Sequence, residues 1–125
     1  MTVDSAGKRH AYRVFAWGGA TAVLVASIVP PPASVAAAPL GFDKLVHAAS
    51  YGVLMFCFGR AYARPSWLRA ATLLTCYGVL IELLQQFSPA RCASAADALA
   101  NLIGISIMLG MLYRGERESP RTPPV

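Results

Sequence analysis

Asp43, His47 and Tyr51 recur at four-residue intervals, which on an α-helix puts a carboxylate, an imidazole and a phenol on one stripe. Asp97 and Asn101 repeat that spacing later in the chain, and Glu82, Gln85 and Gln86 add a carboxylate and two amides between the two stripes. A carboxylate beside an imidazole suits general acid–base chemistry, one group moving a proton while the other orients or stabilises it. Glu82, His47 and Asp97 are the candidates for that work. Asp43, Tyr51, Gln85, Asn101 and Arg91 are the candidate substrate-binding groups, with Arg91 suited to a phosphate or carboxylate. Asp43, His47, Glu82 and Asp97 also offer oxygen and nitrogen donors for a divalent metal, but their spacing matches no particular metal motif. No cofactor is expected, and metal binding stays open.

The elements that must position these residues are strongly apolar. Of 125 residues, 56% are hydrophobic and only 14% charged, too few charges to cover the surface of a soluble domain this small. Four apolar runs stand out: Val14 to Val29, Phe42 to Ala63, Trp67 to Phe87 and Ala95 to Tyr113. They are separated by Pro30-Pro31-Pro32, by Arg64-Pro65-Ser66 and by Ser88-Pro89. The first run reaches bilayer length if it starts near Ala11 and Arg13 snorkels. The pattern predicts an all-α integral membrane bundle of about four transmembrane helices. Its parts are a cytoplasmic segment over 1–10, a transmembrane helix over 11–29, a membrane domain over 42–113 holding the other three helices, and a disordered tail over 114–125. A cleaved signal peptide is the competing reading of the first run, because Lys8, Arg9 and Arg13 precede it and a small-residue stretch from Ala33 to Ala38 follows.

Basic residues set the orientation. Lys8, Arg9 and Arg13, then Arg60, Arg64 and Arg69, then Arg114, Arg117 and Arg121 fall on one side, against Lys44 and Arg91 on the other. The positive-inside rule then puts both termini in the cytoplasm. Since these charges flank apolar runs and no reading element accompanies them, the net charge of +5 argues for topology and against nucleic acid. Cys57, Cys76 and Cys92 have no metal spacing. In this orientation His47, Glu82 and Asn101 each lie about 6–10 Å inside the outer helix ends, at 1.5 Å per residue. They could share a crevice between the second, third and fourth helices.

Several of these residues have a plainer use. Asp43 sits where a helix cap belongs, and Ser94-Ala95-Ala96-Asp97 resembles a capping box. His47 could be an interior hydrogen-bonded histidine, Gln85 and Gln86 could bond between helices, and Arg91 could be a headgroup-level anchor. Glu82 lies inside a helix, where no cap explains it, and a carboxyl at that depth must be paired, protonated or wetted. Ala48, Ala49, Ser50 and Gly52, with Gly78 and Gly104, read as close helix contacts.

In order, Asp43-Lys44, His47, Tyr51, Gly78, Glu82, Gln85, Phe87, Pro89, Arg91, Ser94, Asp97, Asn101 and Gly104 resemble the VanZ-like family of small bacterial membrane proteins. The likeness covers about Asp43 to Gly104; the first helix and the tail share hydropathy only. Ala48 departs from it, because the family often has an aromatic residue after the histidine. The resemblance implies a multi-pass protein of the bacterial cytoplasmic membrane and cell envelope. The family's namesake is linked to low-level resistance to the glycopeptide teicoplanin, by a mechanism that does not follow from the motif.

The expected function is an extracytoplasmic polar site that handles a lipid headgroup, a lipid-linked envelope precursor or an amphiphile. Enzymatic turnover and non-catalytic binding both fit that site. A transport role would require a homo-oligomer, since four helices are few for a pathway.

Overall fold

The computed structural model describes residues 3–30, 39, 41–87 and 94–118. Four long helices account for nearly all of them: α1 (Val3–Ile28), α2 (Phe42–Ala61), α3 (Trp67–Gln85) and α4 (Ala95–Glu118). A single 3-10 turn, Arg64–Ser66, leads into α3, with Pro65 in its first positions, where a missing N–H costs nothing. No strand occurs among the described residues, and the expected all-α bundle is the architecture found.

Two helices outrun their apolar runs. α1 begins at Val3 and α4 continues to Glu118, because a helix does not have to stop where its apolar run meets water. Lys8, Arg9 and Arg114–Glu118 are mostly good helix formers, and Arg64 Nε holds Glu116 Oε2 at 2.9 Å near the end of α4.

Three spans, Ser5–Ile28, Arg64–Gln85 and Ala95–Glu118, are long and apolar enough to cross a membrane. α2 has 20 residues but also carries Asp43, Lys44, His47 and Arg60, and it falls outside that group. It is nevertheless the central helix, packed against α1, α3 and most extensively α4. Tyr51, Leu54, Met55, Cys57 and Phe58 of α2 form the core with Ala16 of α1, Trp67, Ala71 and Leu74 of α3, and Ile105 of α4. Phe15, Val53, Leu73 and Ile107 point outward, so each of the four helices exposes large apolar side chains. Water would penalise such a surface, whereas acyl chains match it.

The α2–α4 contact depends on Gly104. A Cβ there would collide with the Ala48 carbonyl, so the two backbones can cross this closely only without one. That crossing sets how far the polar end of α2 lies from the start of α4.

The opposite end of the bundle is basic and aromatic. Arg13 lies over the Tyr62 ring at 5.3 Å, Arg60 over Tyr12 at 5.8 Å and Arg64 over Tyr113 at 5.2 Å. Trp67 Nε1 donates to the Gly59 carbonyl at 3.0 Å, which satisfies an acceptor at the end of α2 and fixes the turn into α3.

Candidate functional site

At the other end, the first turns of α2 and α4 meet the last turn of α3. His47 Nδ1 pairs with Asn101 Oδ1 at 3.1 Å, a contact that defines the ring's orientation: a protonated Nδ1 donates to the amide oxygen. The other ring nitrogen, Nε2, lies 4.0 Å from Asp97 Oδ2. That distance allows electrostatic attraction but exceeds a hydrogen bond. The opposite oxygen, Asp97 Oδ1, is 3.3 Å from Lys44 Nζ at ion-pair distance, though it is buried and not aligned for a hydrogen bond. Lys44 also holds Asp43 Oδ2 at 3.0 Å.

Glu82 is 6% exposed. Its Oε2 accepts the Ser94 backbone N–H at 3.1 Å, and its Oε1 is buried with no hydrogen-bond partner among the described residues. The first bond redistributes the capping work. Ser94 immediately precedes α4, and the carboxylate reaching its N–H comes from α3, while the Asp97 side chain turns to Lys44 and His47. Asp43 makes no cap either: Gly41 is the N-cap of α2 and has no side-chain cap bond. One donor atom from each of His47, Glu82 and Asp97 falls within 4.8 Å of the others.

Two buried groups complete the setting. The Tyr51 hydroxyl and Asn101 Nδ2 have no hydrogen-bond partner among the described residues, although Tyr51 is 1% and Asn101 2% exposed. Gly78 leaves them room, since a Cβ at that position would lie 3.1 Å from Asn101 Nδ2 and 3.2 Å from the Tyr51 ring. Polar atoms this deep normally find a partner, and each one left over costs about 1–3 kcal/mol.

The structure thus brings together His47, Glu82, Asp97 and Asn101, with Tyr51 beneath them and Asp43 at the exposed rim. Gln85 turns away: its Nε2 donates to the Ser27 carbonyl of α1 at 3.2 Å and so ties α1 to α3. Gln86 is exposed. Arg91, assigned to a headgroup from the sequence, lies outside the described residues. Lys44 and Ser94 were not singled out as site residues. The signal for Lys44 was available, because a cation in the first turn of a helix opposes the helix dipole and calls for an acidic partner.

These features define a small helical bundle suited to a membrane, with a partly buried acid–imidazole cluster at one end and arginines at the other. A family model described as VanZ/LLP1 matches residues 8–114, and the chain belongs to that family. The match takes in the first helix, which the sequence motifs alone did not reach. No curated protein and no solved structure is matched.

Proposed function

We propose that this VanZ-family protein sits in the bacterial cytoplasmic membrane as a multi-pass protein, with both termini in the cytoplasm. Its extracytoplasmic polar site handles the headgroup of a lipid or of a lipid-linked envelope precursor. The observation that carries this reading is the buried cluster of Glu82, Tyr51 and Asn101, each with a polar atom unpartnered among the described residues, at the end of an otherwise apolar bundle. Lys44 supports it: its side chain is 45% exposed at the rim, where an anionic headgroup would meet it first. The concentration of arginines at the other end supports the orientation.

Within this reading His47, Glu82 and Asp97 are the acid–base candidates. With Nδ1 committed to Asn101, His47 presents Nε2 to the crevice, where it can take a proton or return one. Asp97 Oδ2 faces that nitrogen from 4.0 Å. Asp43, Tyr51 and Asn101 would contact the headgroup. Binding without turnover uses the same contacts, and the variants below separate the two.

The test compares envelope lipids and teicoplanin susceptibility in a deletion strain carrying the wild-type gene, Glu82→Gln or His47→Asn. The wild type should restore the lipid profile, and both variants should fail at equal protein level. Full complementation by both would remove the acid–base role. Native mass spectrometry should then find a defined lipid on the purified chain if the protein is a binder.

A further inference from the structure

We propose that His47, Glu82 and Asp97 form a binding site for one divalent transition-metal ion, with zinc as the best-fitting probe. The inference deepens the headgroup reading and rests on it only for the final ligand, an oxygen of water or of a headgroup phosphate.

The argument begins with how each side chain is held. In all three residues one polar atom is engaged by a neighbouring helix or its lead-in residue. His47 uses Nδ1 on Asn101, Glu82 uses Oε2 on the Ser94 N–H, and Asp97 Oδ1 faces Lys44. His47 Nε2 and Asp97 Oδ2 then face each other at 4.0 Å, and Glu82 Oε1 has no partner among the described residues. Metal-ligating histidines are held in the same manner, the second ring nitrogen bonded to an oxygen that fixes the tautomer.

Spacing and charge agree. Ligands about 2.0–2.2 Å from a tetrahedral zinc lie about 3.4 Å from one another. The three residues offer donor atoms within 4.8 Å of each other, with Nε2 and Asp97 Oδ2 at 4.0 Å, so small side-chain rotations close the site. Two carboxylates this close repel each other unless a cation or a proton intervenes. Lys44, the lysine beside the cluster, already serves Asp43 and Asp97. One imidazole nitrogen and two carboxylate oxygens suit zinc and its first-row neighbours better than calcium, which prefers more oxygens.

Glu82 supplies the independent sign of a ligand. It is 6% exposed, and Oε1 has no partner among the described residues. Three protein ligands would leave a coordination position open, as in zinc sites that bind and polarise an oxygen.

The experiment uses the full chain in lipid nanodiscs, stripped with a chelator and titrated with zinc chloride by calorimetry and metal analysis. One zinc per chain should bind, and equally in a Cys92→Ser control. His47→Asn, Glu82→Gln and Asp97→Asn should each lose saturable binding, and Asn101→Ala should weaken it about 10- to 100-fold. X-ray absorption on the zinc-loaded wild type should give nitrogen and oxygen ligands at about 2.0–2.2 Å without sulfur, a result that needs no variant to fold. No saturable uptake by the wild type, sulfur in the first shell, or binding unchanged in the three ligand variants would overturn the proposal. If zinc binds while Glu82→Gln still restores the envelope lipids, the metal site stands and the acid–base role of Glu82 in the headgroup reading falls. If the lipids depend on Glu82 but the wild type takes no zinc, the headgroup reading stands and the metal site falls.

Discussion

At Glu82 the two carboxyl oxygens have different surroundings, one tied to the Ser94 N–H and one without a partner. Substitutions can therefore separate structure from chemistry. Glu82→Gln keeps an acceptor for Ser94, so folding should persist while function is lost. Glu82→Ala leaves that N–H unpaired and should cost about 1–3 kcal/mol, read as a lower thermal midpoint in detergent. Tyr51 offers the complementary case. Its buried hydroxyl has no partner among the described residues, so Tyr51→Phe should leave stability in detergent unchanged or raise it by about 1 kcal/mol. If the hydroxyl serves a ligand, the same variant should complement poorly. Glu82 was legible in the sequence because depth alone makes a carboxyl conspicuous. Its bond to Ser94 was not, since a backbone N–H has no residue type to read. Likewise, i, i+4 spacing aligned Asp43 with His47, whereas the ring's actual partners, Asn101 and Asp97, come from another helix.

At the scale of helices, the α2–α4 crossing decides whether the site exists. Gly104→Ala pushes a methyl into the Ala48 backbone, and neither helix can yield without moving His47 away from Asn101. A loss of at least about 1–3 kcal/mol is expected in detergent unfolding, together with loss of function. Gly110 on the same helix faces open space. Gly110→Ala should therefore stabilise the chain by about 0.5–1 kcal/mol through helix propensity. Small residues marked close contacts in the sequence, but not which helices made them. Spacing along one strand of chain carries no record of its neighbour, and only the folded bundle pairs Gly104 with Ala48 and Gly78 with Asn101. The expected capping box at Ser94 illustrates the same limit, because Glu82 of another helix reaches the N–H that local pattern assigned to Asp97.

Taken whole, the molecule gathers Arg13, Arg60 and Arg64 at one end and Asp43, Glu82 and Asp97 at the other, and the grouping of the arginines was legible in the sequence. With Cys57 and Cys76 changed to alanine, a membrane-impermeant maleimide should label Cys92 in intact cells. Labelling only after lysis would invert the proposed orientation. The first helix is where the structure adds most. Ala16 is fully buried, Tyr77 donates its hydroxyl hydrogen to the Ala20 carbonyl, and Gln85 bonds Ser27. Intact mass of the membrane-extracted protein should therefore retain α1, and a mass beginning after residue 38 would establish the signal-peptide reading instead. The position of α2 also bears on how the chain is made. The helix at the centre is the one that hydrocarbon accepts least readily alone, because its ends carry Asp43, Lys44, His47 and Arg60. During synthesis α2 emerges before the helix that shields its polar stripe. In the proposed multi-pass arrangement its stable integration waits for α4, making insertion a concerted event rather than a series of independent ones.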